Sequence, residues 1–239
     1  MQVACKKDAP TPYASINVIN AAIDAGTIKV NYFGKPINWA KYTGTIGNVP
    51  FANNQVFTLF NLNNDYPFTI VSATDTSKMV FSQQLALDPT GIYTLFATGQ
   101  SPNYDAVFLT ETNIPYNLPD SAIAVRIINL SPNSPTINVT LASTPAINEA
   151  AGLSFKQVSD FKNYPVLKSI PTGSVSFQIR DAATNALLTT YTIPATAVAP
   201  YSTVSTSLSR FKSLTLVIKG LAGTTSGVNA YSVFPVAQY

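Results

Sequence analysis

Residues 16–32 read INVINAAIDAGTIKVNY, and about 109 positions later residues 125–141 read VRIINLSPNSPTINVTL, with apolar and polar residues in the same register. In each copy an alternating stretch runs into Asn20 or Asn129, passes through a polar turn, and alternates again at Ile28-Val30-Tyr32 or Ile137-Val139-Leu141. Alternation with period two puts every second side chain on one face of a strand, so each copy predicts strand, turn, strand. The chain reads as one β unit used twice.

The same period continues outward. Phe68-Ile70, Tyr93-Leu95-Ala97 and Val107-Leu109 in the first half are matched to Val175-Phe177-Ile179, Tyr201-Val204 and Leu214-Leu216-Ile218 in the second. Turn clusters separate them: Asn63-Asn64-Asp65, Asp88-Pro89-Thr90-Gly91, Pro102-Asn103, Ser131-Pro132-Asn133, Pro171-Thr172-Gly173 and 181–185. Uncharged residues such as Thr189-Thr190, Ser205, Ser207 and Thr215 are expected on the outward strand faces. One helical turn or two is expected within 148–161, where Glu149 and two alanines follow Asn148 and Gly152 interrupts. Pro115 and Pro119 mark residues 113–121 as the linker. The expected fold is all-β: two tandem immunoglobulin-like or transthyretin-like antiparallel β-sandwich domains, at 13–117 and 118–239, behind a tether at 1–12.

Composition fits that division. The 239 residues are 46% hydrophobic and 10% charged, enough for two cores without disulfide or metal. Lys+Arg number 14 against Asp+Glu 11, and apart from Lys6-Lys7 the lysines are scattered. A surface that tracks nucleic acid needs clustered basic residues, so nucleic acid is not an expected partner. No apolar run is long enough to cross a bilayer as a helix.

The second copy carries a family resemblance. Its 125–141 stretch, followed by Phe161, Tyr164, the turn Ile170-Pro171-Thr172-Gly173 and the strand-like 174–180, resembles the domain of unknown function DUF4397. Members pair an opening of "arginine, apolar, apolar, Asn or His, x, Ser-Pro" with a later Pro-x-Gly turn. The first copy keeps the opening strand and Asn20 but lacks the Ser-Pro pair and the Pro-x-Gly turn. The resemblance implies a secreted or lipid-anchored bacterial surface protein, of Bacteroidetes type, and brings no activity with it. Asp120-Ser121-Ala122 also resembles the short serine O-glycosylation acceptor of that group.

Function is read mainly from what chemistry the residues allow. Histidine is absent, and histidine is the usual base beside a serine or cysteine nucleophile and a usual zinc ligand, so an enzyme is not expected and no cofactor is called for. Only two of the eleven carboxylates are glutamates, Glu111 and Glu149, and no acidic pair marks a sugar-cleaving cleft. Asp24 and the 63–65 cluster read as Asx turns rather than calcium loops, because alternating acids with a terminal glutamate are missing.

Two segments invite a specific role. Ala4, Cys5 and the polar Lys6-Lys7-Asp8 resemble the lipobox boundary of a bacterial lipoprotein, although Gln2 and Val3 stand where a leucine is usual. Cys5 is accordingly expected to be the first mature residue and to carry diacylglycerol, placing the protein in the cell envelope, at the outer membrane or cell surface. The other reading is a chance cysteine in a tail.

Residues 33–42, FGKPINWAKY, hold the single tryptophan. Trp39 and Tyr42 beside Asn38 and Lys41 could cover the apolar face of a pyranose while the amide and cation take its hydroxyls. Packing of Trp39 as an edge plug is the favoured alternative, since a ring of that size near a strand end usually buries most of its area. The leading expectation is a lipid-anchored binding, adhesion or structural module, and the alternative is a carbohydrate-binding accessory lipoprotein.

Overall fold

The computed structural model describes residues 13–41, 47–60, 62, 66–118, 122–165, 175–193 and 211–238. Cys5, Tyr42, the 63–65 cluster, Ser121, the Pro171-Thr172-Gly173 turn, Tyr201, Val204, Ser205 and Ser207 lie outside the described residues.

The first half holds β1 (Ala14–Asn20), β2 (Ile28–Asn31), β3 (Asn48–Val49), β4 (Asn53–Leu59), β5 (Tyr66–Ser72), β6 (Met79–Leu85), β7 (Ile92–Gln100) and β8 (Asn103–Thr110), with a 3-10 turn at Trp39–Lys41. The second half holds β9 (Ala122–Asn129), β10 (Ile137–Leu141), β11 (Thr144–Leu153), β12 (Lys162–Pro165), β13 (Ser176–Asp181), β14 (Leu187–Thr192), β15 (Ser213–Lys219) and β16 (Ser232–Gln238). Sheets β4-β1-β7-β8 and β3-β2-β5-β6 enclose one core, and β12-β9-β15-β16 and β11-β10-β13-β14 enclose another. The second strand order repeats the first position for position. Pairing is antiparallel except for β1 with β7 and β9 with β15, which are parallel.

The turn after each opening strand carries the chain from one sheet of its sandwich to the other, and a buried asparagine secures it. Asn20 Nδ2 donates to Gly26 O at 2.8 Å and Val49 O at 2.9 Å, while its Oδ1 accepts from Ala22 N. Asn129 Nδ2 donates to Leu153 O at 3.2 Å, and its Oδ1 accepts from Ser131 N. Peptide groups that leave a sheet in a dry interior need new partners, and an amide side chain supplies both a donor and an acceptor.

Three expectations need correction. The helical turn expected within 148–161 is absent: residues 144–153 form β11, which pairs with β10 through a bulged register and turns Ala150 and Leu153 into the core. Sheet pairing overrides the helix propensity of alanine and glutamate there. The strand matching slips by one element, because the equivalent of β7 is β15, with Leu214, Leu216 and Ile218 facing the core, and the equivalent of β8 is β16. Thr215 was expected on a wet outer face and is fully buried.

Thr215 is buried because the two sandwiches lie side by side. Ile19, Ala21 and Phe96 from the outer face of the first meet Ile128, Leu130, Val217 and Val236 from the outer face of the second, making a third apolar cluster. The sheets therefore stack in four layers. Thr94 lies near Gln238 and Thr98 Oγ1 donates to Leu130 O at 2.9 Å, so β7 and β9 run in the same direction. Strands β1, β7, β9 and β15 all begin at one end of the stack, the near end.

Candidate functional site

Strand β2 delivers the chain to the near end, where the tryptophan-bearing loop follows. Asn31 Nδ2 donates to Lys35 O at 2.9 Å and Asn31 Oδ1 accepts from Phe33 N, closing the base of the loop. Tyr66, the first residue of β5, donates from its hydroxyl to Tyr32 O at 2.6 Å. Burial pushes the Tyr66 phenol up to about 12, so it remains a donor throughout the neutral range. Gly34, at φ +66°, rides on the Tyr66 ring so closely that a Cβ there would sit 2.6 Å from Cε2. The Tyr32 ring stacks on Phe33 at 4.5 Å and on Phe57 at 4.8 Å between centroids.

On this base Lys41 N donates to Asn38 O at 3.0 Å and forms the 3-10 turn. Trp39 is half-buried, while Asn38 and Lys41 are exposed. The structure thus brings Asn38, Trp39 and Lys41 together on one pinned turn. Beside the base of the loop lies a shallow cleft of about 400 Å³, lined by Asn31, Pro36, Pro67, Thr69, Ser82, Gln83 and Gln84.

A second constellation sits between the sandwiches. Arg126, in the middle of β9, gives Nη1 and Nη2 to the two carboxylate oxygens of Glu111, just beyond β8, with side chains only 7% and 3% exposed. Arg126 Nε donates to Thr215 Oγ1 at 2.8 Å, and its guanidinium lies 4.7 Å from the centroid of the Phe161 ring. Gln238 Nε2 also donates to Thr215 Oγ1, at 2.6 Å. A bidentate pair of this kind cancels its own charge and fixes orientation, so its chemistry is that of a clasp. The cleft above it measures about 510 Å³.

In the sequence Arg126 stands out only as part of a family opening, and Glu111 carries no signal of a role. The available signal was one arginine inside an otherwise apolar strand.

The clasp has company farther along the interface. Lys156 pairs with Asp105 at 2.6 Å, Asp24 accepts from Gln100 and Asn229, and Lys219 Nζ lies 4.9 Å from the centroid of the Phe51 ring. Asp24 therefore holds two amides. Among the described residues no three His, Cys, Asp or Glu side chains come together as a metal site, and no helix is long and apolar enough to cross a membrane.

Comparison with known proteins gives a family and little else. No curated protein matches the chain. Among solved structures it is similar to family 41 carbohydrate-binding modules, described for α-glucan recognition, from streptococcal virulence factors. That likeness has 12% identity, 75% of this chain and 87% of the other covered, and a TM-score of 0.24. It is also similar to a "putative adhesin" from Bacteroides ovatus, at 11% identity, with 99% and 98% covered and a TM-score of 0.26. At these scores neither superposition carries weight for function. The domain of unknown function DUF4397 matches residues 14–140, more than half of the sequence. That span runs from β1 into β10 and includes both opening strands and both buried asparagines. The chain belongs to the DUF4397 family.

Proposed function

We propose that the protein is a non-catalytic, lipid-anchored module of the bacterial cell envelope, at the outer membrane or cell surface, that binds or adheres through its loops. Cys5 carries the lipid, residues 6–12 form the tether, and the sandwiches at 13–117 and 118–239 stand on it as one body. The observation that carries this reading is the clasped side-by-side packing. The Arg126–Glu111 pair and the apolar face around Phe96 and Val217 hold both sandwiches in one orientation. An attachment at the near end then leaves the loops of both sandwiches at the far end facing away, as one broad contact surface. The test is intact-mass analysis of the native protein from membranes. A diacylglyceryl group on Cys5 is the expected result, and an unmodified chain in the soluble fraction refutes the anchor.

The pinned loop supports a second reading, glycan recognition by Trp39 with Asn38, Lys41 and Tyr42. An aromatic half-exposed on a rigid turn, beside an amide-lined cleft, has the composition of a sugar platform. Binding of the full chain to a glycan array, lost in Trp39→Ala while the fold is kept, is the expected outcome. Equal binding by both, or none, returns Trp39 to packing.

A further inference from the structure

Among the described residues, the exposed aromatic side chains are not spread over the molecule. Tyr13, Phe33, Phe60, Tyr116 and Phe211 are between 39% and 57% exposed, and all five lie at the near end. Tyr13 precedes β1 and Phe60 follows β4, with ring centroids 6.4 Å apart. Phe33 belongs to the pinned loop after β2. Phe211 N donates to Ala122 O at the start of β9, and Ser213 Oγ donates to Pro115 O, which draws Tyr116 to the start of β15. The other exposed large apolar residues, Val56, Met79, Ile147, Leu187 and Val228, are all aliphatic. Exposed Lys35, Lys41 and Lys212 share the near end with exposed Asp88. The far end shows polar groups such as Asp24, Asn133 and Asn185, and the exposed large apolar residues described there, Met79 at the start of β6, Leu187 at the start of β14 and Val228, are aliphatic rather than aromatic.

We infer that the near end is a membrane-docking face, whose aromatic side chains enter the headgroup region of a phospholipid bilayer. Rings with an apolar body and a polarizable face prefer that boundary, and lysines above it are drawn to anionic lipid. The rings sit on three of the four layers rather than around one cleft, which suits a flat partner better than a pocketed ligand. The inference rests on the anchoring reading for its direction. Tyr13 stands eight positions after Cys5, a reach of at most about 29 Å when fully extended, so a lipid on Cys5 holds this end, and no other, close to the bilayer. The same surface claims the Trp39 loop, so the docking and glycan readings compete for it.

Two measurements on the full chain separate the possibilities. In the first, the Cys5→Ser protein is floated with vesicles of phosphatidylethanolamine and phosphatidylglycerol. Changing Phe60 and Phe211 together to Ser is expected to lower the bound fraction about tenfold, while Val228→Ser leaves it unchanged. No flotation, an equal loss with Val228→Ser, or flotation that requires lipid-linked oligosaccharide in the vesicles overturns the inference. In the second, the lipidated protein carries a nitroxide at Phe211→Cys or Val228→Cys, the lipid leaving the introduced thiol as the only one free. Accessibility to lipid-dissolved oxygen at position 211 but not 228 is expected, and identical accessibility overturns docking while the anchor stands. Absence of lipid on Cys5 with intact flotation instead removes the anchor and keeps the docking face.

Discussion

Asn17 in β1 and Arg126 in β9 occupy the same place in the repeat, on the outer faces that meet between the sandwiches, yet they are served differently. Asn17 is 1% exposed; it accepts from Asn54 Nδ2 at 2.9 Å, and its own Nδ2 has no hydrogen-bond partner among the described residues. Arg126 is paired with Glu111, Thr215 and the Phe161 ring. Inside each sandwich the two copies keep the same devices, down to Asn20 and Asn129. Where copy meets copy they diverge, because a face that packs on its own duplicate is not facing itself: one side supplies a cation and the other an anion from beyond its last strand. Duplication preserved the cores and rewrote the seam.

The largest expected effect breaks that seam. Arg126→Met leaves the Glu111 carboxylate buried and uncompensated, and a loss of about 3–5 kcal/mol in denaturant unfolding follows, most of it recovered when Glu111→Met is added. If the double variant remains as unstable as the single, the pair is not the source. Phe96→Ala empties the centre of the apolar contact and is expected to cost about 3 kcal/mol. Asn20→Ala leaves the buried Val49 carbonyl and the part-buried Gly26 carbonyl without that donor and Asn129→Ala leaves one buried carbonyl, so unfolding free energies should fall by about 2 kcal/mol and about 1 kcal/mol respectively. The reverse order would mean that the two turns are not held alike. Asn17→Ala removes an unpaired donor and is expected to stay within about 1 kcal/mol of the parent, the smallest change at any of these buried positions.

Alkaline unfolding separates the copies in another way. Tyr66 has no tyrosine at its repeat position, which is Val175. Its phenol is raised by burial from 10.0 to about 12, so the unfolded chain releases that proton first. Its contribution is whole below pH 10 and is lost as pH rises through about 12. Tyr66→Phe should flatten that part of the fall in stability, measured between pH 9 and 12, and an unchanged slope would assign the fall to other phenols.

Much of this architecture was legible in the chain itself. Period-two alternation located both copies of the strand-turn-strand opening, and the recurring asparagine marked where each strand ends. Residues 144–153 misled because Glu149, Ala150 and Ala151 carry helix propensity, while the pull of β10 on an edge strand leaves no local mark. Thr215 misled for a different reason. An outward threonine looks the same in sequence whether water or another domain covers it. The loop at 33–41 was visible as chemistry, but the Tyr66 bond that ties its base to β5 joins positions distant in sequence. The gathering of Tyr13, Phe60, Tyr116 and Phe211 at one end is likewise a product of topology, since nothing in their spacing announces it.

The four-layer stack also limits how this protein can be cut. A fragment ending near residue 117, or one starting near 118, would carry into water a sheet face that is apolar on both sides. For the second fragment that face holds Ile128, Leu130, Val217, Val236 and the partly buried Phe234. A single sandwich expressed alone is then expected to aggregate or to pair with itself, whereas a chain keeping both halves stays monodisperse. The repeat is twofold in ancestry, but the unit that can be transplanted, displayed or fused is the pair.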